Sequence, residues 1–155
     1  MIDNLLNKQA PHFLLKDSNN KYTSLESFKN RWLVIFFYPK DNTPGCTKEA
    51  CLLRDDYSEI QSLNTQIIWI NTDTVESHKR FQEKHKLPFA LLSDTDGFIS
   101  RKYYALYKLF FIQFSKRRSF IIDPQGVIKK IYKTVNPAIH STEIISDLQL
   151  MQRKR

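Results

Sequence analysis

The sequence predicts an α/β fold, a mixed β-sheet flanked by helices on both faces. Three observations point there. Trp32-Leu33-Val34-Ile35-Phe36-Phe37-Tyr38 and Gln66-Ile67-Ile68-Trp69-Ile70 are apolar runs of strand length. They lack the polar alternation of a half-solvated strand, so both are expected to be buried on both faces. Helix-patterned stretches follow each run, long enough to cross over between parallel strands. Toward the end, Arg118-Ser119-Phe120-Ile121-Ile122 and Val127-Ile128-Lys129-Lys130-Ile131-Tyr132 flank the turn Asp123-Pro124-Gln125-Gly126. That turn suits an antiparallel hairpin.

The remaining elements follow in order. Ala10 to Asp17 reads as a short edge strand ending at the turn Ser18-Asn19-Asn20, and Ser24 to Lys29 suits one short helical turn. Pro39 stops the first buried strand. A helix is expected from Thr43-Pro44 to about Gln61, with Thr43 as N-cap and Pro44 in the first helical position. Ala50, Leu53, Tyr57 and Ile60 recur along it at helical spacing. Val75 to His85 is a polar helix. Phe89 to Leu92 is a short strand closed by Ser93-Asp94-Thr95-Asp96-Gly97, and Phe98 to Tyr104 is helical. The aromatic stretch Tyr104 to Phe114 is read first as core, with a substrate-facing apolar wall or a contact surface as the alternatives. A last helix spans Ile139 to Met151. The whole, residues 1–155, is expected to be a single domain, with about 152–155 a basic, frayed tail.

The chain has 155 residues, 41% of them hydrophobic, including 11 Phe and 7 Tyr. That is enough for a sizeable core and excludes a disordered composition. The net charge of +8 reads as lysines spread over a solvated surface. No basic helix, zinc finger or aromatic single-strand reader accompanies it, so a nucleic-acid partner is not expected. The start, Met1-Ile2-Asp3-Asn4-Leu5-Leu6, lacks the features of a secretory signal. No stretch approaches the ~20 apolar residues of a membrane span. The expectations are therefore a cytoplasmic location and no membrane partner. Two cysteines in such a chain are not a structural disulfide framework. They are either small buried hydrophobes or chemistry. A zinc site needs about four ligands, and His12, His78, His85 and His140 lie far apart in sequence. None of these histidines is assigned a catalytic role.

In α/β sheets reactive groups gather at the carboxyl ends of the strands. The segment Pro39 to Cys46 leaves the carboxyl end of the first buried run. Cys46 falls in the first helical turn, where unpaired N–H groups and the positive end of the dipole favour a thiolate. The thiolate is the nucleophile. Gly45 removes a side chain next to the sulfur and would let a small substrate approach. Thr43 has two candidate jobs, capping the helix and donating its hydroxyl to a substrate oxygen. The alternative for Cys46 is a buried core cysteine. Cys51 lies five residues on. In an intact helix such residues have Cα atoms roughly 8–9 Å apart and point about 140° apart. A disulfide needs Cα atoms within ~7 Å. If the two cysteines work as a pair, the helix must unwind locally; otherwise Cys51 is a core helix position.

Pro39-Lys40-Asp41-Asn42-Thr43-Pro44-Gly45-Cys46 fits the Pro-x-x-x-Thr-x-x-Cys signature of peroxiredoxins. The longer stretch from Phe37-Tyr38-Pro39 to Cys46-Thr47-Lys48-Glu49-Ala50-Cys51 resembles the Q-type branch, also called bacterioferritin comigratory protein. Ala10-Pro11-His12-Phe13, Glu76-Ser77-His78, Leu91-Leu92-Ser93-Asp94 and Val135-Asn136-Pro137-Ala138-Ile139-His140 extend the resemblance over nearly the whole chain. It implies a thioredoxin-like fold and reduction of hydrogen peroxide or organic hydroperoxides. Cys46 would become a sulfenic acid. Cys51, at the branch's spacing for a resolving cysteine, would condense with it, and a thioredoxin-type protein would reduce the disulfide. The resemblance implies no metal or bound organic cofactor, and a monomer or weak homodimer. The family's arginine, three residues before the strand Phe, maps to Arg117 rather than Arg118. Glu49 resembles a supporting position, and it also reads as a first-turn carboxylate stabilised by the dipole. The departures are Asn20 where the family usually has Gly, the segment Ile70-Asn71-Thr72-Asp73, and a short, aromatic 104–114. Two other functions compete. Cys-x-x-x-x-Cys lacks the spacing of protein-disulfide oxidoreductases. A basic binding module on the same scaffold has only the net charge in its favour.

Overall fold

The computed structural model describes residues 1–153. Its main sheet has seven strands in the order β2-β1-β5-β4-β3-β8-β9. In chain order these are β1 (Leu14–Lys16), β2 (Tyr22–Ser24), β3 (Trp32–Phe37), β4 (Thr65–Asn71), β5 (Ala90–Ser93), β8 (Arg118–Ile122) and β9 (Ile128–Tyr132). A separate two-stranded sheet is formed by β6 (Leu106–Leu109) and β7 (Ile112–Ser115). β3, β4 and β5 run parallel, and β8 returns antiparallel beside β3. The crossovers are α1 (Pro44–Asp55) with α2 (Tyr57–Ser62), then α3 (Val75–His85). The helices α4 (Phe98–Lys102) and α5 (His140–Arg153) complete the set.

Every residue of β3 is buried, as expected of a strand without polar alternation. Neighbouring strand residues point to opposite faces, so β3 divides between two cores. Val34 and Phe36 join Trp69 and Leu91 beneath Ala50 and Leu53 of α1, Ile60 of α2, Phe81 of α3 and Ile144 of α5. Leu33, Ile35 and Phe37 join Ile68, Ile70 and Phe120 on the other face, against Phe13, Ile99 of α4 and Tyr103. Helices thus cover both faces unequally. The second face has one five-residue helix, helped by the 3-10 turns Ile2–Leu5 and Leu25–Phe28.

Several expectations need correction. The first strand is not at the edge. β2 covers its outer side and β5 its inner side, and β2, with only three residues, is too short to show a periodicity. The helix expected to reach Gln61 breaks at Asp56, whose ψ of 5° leaves the helical range. The Asp56 carboxylate there accepts from the Ser141 hydroxyl of α5. The basic stretch expected to fray from about residue 152 is helical as far as it is described. Arg153 is still helical, and Gln152 Nε2 donates to Leu63 O at 2.6 Å. Lys154 and Arg155 lie outside the described residues. Asn20 takes the left-handed conformation with φ 63°, a conformation Asn tolerates well.

The largest departure is the aromatic stretch expected in the core. It forms the β6–β7 hairpin, whose closing pair Leu109–Ile112 brackets the two-residue turn Phe110-Phe111. Phe111 is 101% exposed and Phe110 83%, the latter at φ 53°. No Gly or Asn marks this turn, so the sequence hides it. The inward-facing aromatic work of the neighbourhood is done by Tyr103 instead, fully buried and donating its hydroxyl to Pro11 O at 2.6 Å.

Candidate active site

Two chain segments meet at the carboxyl end of β3. One leaves β3 through Tyr38 and Pro39 and enters α1. The other arrives through Arg117 and enters β8, because the antiparallel register sets Arg118 opposite Phe37. Arg117 therefore lands beside the first turn of α1. Its Nη2 donates to Cys46 Sγ at 3.1 Å, and its Nη1 donates to Glu49 Oε1 at 3.1 Å. Arg118 points elsewhere, to the carbonyl of Tyr104. The alternation of strand neighbours required a choice between the two arginines, and the geometry brings Arg117 to the cysteine.

Cys46 has no exposed surface and belongs to the core cluster under α1. The planar guanidinium thus sits against the sulfur at hydrogen-bond distance. Gly45 has a reason the sequence did not offer. A Cβ there would stand 3.2 Å from Arg117 Nη2, so the glycine makes room for the guanidinium. Thr43 occupies the N-cap position with extended backbone, but its side chain does not cap the helix. Its Oγ1 donates to Lys40 O at 2.9 Å, while its carbonyl accepts from Thr47 N at 2.9 Å. The hydroxyl thus closes the turn 40–43 and leaves the first-turn amides uncapped by it.

Glu49 is buried, and its Oε2 has no hydrogen-bond partner among the described residues. Burial pushes its carboxyl up from 4.5 to about 7, against the lowering pull of Arg117. The fold therefore holds a proton that the unfolded chain has lost between these two values. Glu49's contribution to stability is full below pH 4.5 and is lost as pH rises through about 7. Glu49→Gln, which mimics the protonated group, is expected to be more stable than the parent at pH 8 by up to about 3 kcal/mol and equal to it at pH 4. Urea unfolding at the two pH values measures this; a gap that is the same at both would contradict it.

The loop 39–43 is fixed from below by a buried polar network that sequence reasoning missed. Tyr38 donates its hydroxyl to Asp41 Oδ1 at 2.5 Å. Asp41 Oδ2 accepts from Ser77 Oγ at 2.7 Å and lies 2.8 Å from His78 Nδ1. The Asp41 amide donates to Asp73 Oδ2 at 2.7 Å. Burial alone would raise the Asp41 carboxyl, but His78, Tyr38 and Ser77 outweigh it and hold it below its ordinary value. The available signal was Tyr38, a phenol ending an apolar run, whose hydroxyl needs a partner when buried.

Cys51 is half-buried on the same helix as Cys46, and both thiols are free. α1 is continuous between them, so the spacing argument applies and they are too far apart to bond in this state. Cys51 Sγ lies 3.8 Å from His85 Nδ1, a second contact the sequence did not suggest. Burial, then Lys84 and Arg54, hold the His85 imidazole below its usual value. His12 is exposed, and His140 is buried against Phe36 and Tyr132 with Nε2 2.8 Å from Ser119 Oγ. Among the described residues no cluster of three or more His, Cys, Asp or Glu could hold a metal ion.

Residues 6–131 match the AhpC/TSA family. The chain is 40% identical over 141 residues to the chloroplastic peroxiredoxin Q of Oryza sativa subsp. japonica, and 38% identical over 143 residues to that of Sedum lineare. The chain belongs to the peroxiredoxin Q branch of the AhpC/TSA family. The matches cover 90% and 92% of this chain, 64% of the rice protein and 76% of the Sedum protein. The chain thus spans less than two thirds of the length of the rice relative. A relative named peroxiredoxin bcp, from Coxiella burnetii, is 35% identical and covered over 96% of its length. Among solved structures, peroxidoxin BcpB from Mycobacterium tuberculosis superposes with a TM-score of 0.88 at 27% identity, covering 94% of this chain and 96% of that one. The bacterioferritin comigratory protein of Xanthomonas campestris gives 0.84 at 29% identity, covering 90% and 91%. The fold of this peroxiredoxin Q family member is thioredoxin-like, with a mixed sheet between helices.

Proposed function

We propose that the chain is a thiol-dependent peroxidase that reduces hydrogen peroxide and organic hydroperoxides through Cys46. The observation that carries this is the Arg117 guanidinium donating to Cys46 Sγ at 3.1 Å in the first turn of a helix. Membership of the peroxiredoxin Q branch supports it. The Cys46 thiolate attacks one peroxide oxygen. The O–O bond breaks, the leaving oxygen takes up from solvent the proton that the thiol released on ionising and departs as alcohol or water, and Cys46 carries the transferred OH as a sulfenic acid. Arg117 stabilises the thiolate and the oxygen on which charge develops. Gly45 gives the guanidinium its space, and Glu49 orients it from the other side. Thr43 and Pro39 shape the turn beside the sulfur.

Cys51 resolves the sulfenic acid. Its thiol sulfur displaces the hydroxyl of Cys46, its proton joins that hydroxyl as water, and an intramolecular disulfide remains. α1 must unwind between Pro44 and Cys51 for this to occur. A thioredoxin-type dithiol protein then returns both cysteines to thiols. The catalyst is one thioredoxin-like domain over residues 1–155, cytoplasmic, and a monomer or weak homodimer.

The test is a single-equivalent oxidation. Reduced protein is mixed with one equivalent of hydrogen peroxide, and intact mass and free thiols are read within seconds. A loss of ~2 Da and of both thiols is expected. A gain of ~16 Da would leave Cys46 as the nucleophile and remove Cys51 from the cycle. No change would remove the peroxidase. In Cys51→Ser, one oxidation followed by stalling with thioredoxin as reductant is expected; full turnover would refute the resolving role.

A further inference from the structure

The turn of the β6–β7 hairpin is open to solvent. Leu109, Phe110, Phe111 and Ile112 are consecutive, and all four are exposed, at 49%, 83%, 101% and 63%. Single exposed apolar residues are ordinary; four bulky ones in a row at an exposed turn mark a contact site. The register puts Tyr107 opposite Phe114 and Leu109 opposite Ile112. These two pairs share one face of the hairpin. Tyr107 and Phe114 stack with centroids 4.8 Å apart, so this face is apolar back to the base. Lys108 lies on the opposite face. It lines a surface pocket together with Arg101, Lys116, Arg118 and Lys133. The pocket's one acid, Asp3, is paired with Lys133 at 2.6 Å.

We propose that this hairpin docks the protein on the surface of an anionic lipid bilayer. Leu109 to Ile112 enter the boundary between headgroups and acyl chains. Lys108, Arg101 and Lys116 meet the phosphates behind them. The dimensions fit. A strand rises ~3.4 Å per residue, which sets Lys108 ~3 Å and the Tyr107–Phe114 pair ~7 Å behind the closing pair. Interfacial elements insert about 5–10 Å, which puts the stacked aromatics at the level such rings favour and leaves the lysines able to reach the headgroups. The net charge of +8 adds attraction over the whole molecule. A second copy of the chain fits this surface poorly. A two-fold contact would set the cations around one hairpin against those around the other. Four residues of one turn also offer far less than the ~800 Å² per partner of a stable interface.

The expectation of no membrane partner rested on the lack of a spanning segment. Among the described residues no helix is long and apolar enough to cross a membrane, but an interfacial hairpin needs none. β7 runs through Lys116 directly into Arg117, so the docked hairpin belongs to the chain segment that reaches Cys46.

The experiment is co-sedimentation with vesicles of phosphatidylcholine alone and of phosphatidylcholine mixed with phosphatidylglycerol. At low salt, binding at least ~10-fold stronger to the anionic vesicles is expected, and it should fall steeply at about 0.5 M salt. The double variant Phe110→Ser, Phe111→Ser should lose at least ~10-fold of that binding while its melting temperature and its consumption of hydrogen peroxide stay unchanged. In Phe111→Trp, tryptophan emission should shift to the blue only with anionic vesicles. Three results overturn the proposal. One is absence of binding by the parent. Another is undiminished binding by the double serine variant, which would assign it to net charge alone. The third is concentration-dependent self-association that the serine substitutions abolish, without vesicle binding, which would make the occupant a second copy. Vesicle binding is read without turnover, so this test and that of the peroxidase fail independently.

Discussion

Cys46→Ser is expected to bring peroxide consumption to background, a loss of at least ~10⁴-fold, in line with removal of a nucleophile from a cooperating site. The change is small in volume and keeps a hydrogen-bond acceptor for Arg117, so the fold should persist with an unchanged melting temperature. What disappears is the sulfur: a serine oxygen in its place cannot become the sulfenic acid that the proposed cycle requires. The assay is initial-rate peroxide consumption with a thioredoxin system. Residual turnover within ~100-fold of the parent would move the chemistry off Cys46.

Arg117→Met should cost ~10²–10³-fold in kcat/KM, the range for losing one preorganised donor at a developing charge. Methionine keeps length and apolar packing while removing both contacts, 3.1 Å to Cys46 and 3.1 Å to Glu49. Arg117→Lys should recover only part of the loss, since an ammonium cannot hold sulfur and carboxylate in one planar fork. The side chain is only 21% exposed and pairs with the buried Glu49, so the substitution also lowers stability, and the rates are compared at a temperature well below the variant's unfolding. A loss of less than about 5-fold in Arg117→Met would reduce the arginine to a surface charge.

The sequence exposed those parts of the site that depend on local chain geometry. Cys46 follows a strand, a turn and a proline-started helix, and that order places it at the helix N-terminus without knowledge of the rest of the fold. Arg117 came from the resemblance to the family, through its offset to the strand Phe120. The network around Asp41 was not visible, because Tyr38, Asp41, Asp73, Ser77 and His78 come from three successive elements that only the parallel β3–β4 pairing brings together. His85 meets Cys51 where the end of α3 reaches α1, a contact between residues 34 positions apart in the chain. The hairpin was misjudged on composition. Aromatic residues normally indicate burial, and the turn at Phe110-Phe111 carries none of the residues that announce one.

α1 carries Cys46, Glu49 and Cys51 within two turns, and in the cycle proposed above this sets a clock. The helical state brings Cys46 and Glu49 to Arg117, and in that state Cys51 cannot reach the sulfur. The unwound state lets the two sulfurs meet and at the same time scatters the groups around the guanidinium. The two jobs exclude each other in time. While the helix stays wound after the first oxidation, the sulfenic acid remains beside Arg117 and open to a second peroxide, one rung further up the oxidation ladder. The lifetime of one short helix therefore sets how much peroxide the protein can meet before the damage becomes permanent. Substitutions that strengthen α1 on its exposed side would make the protein more stable and easier to poison.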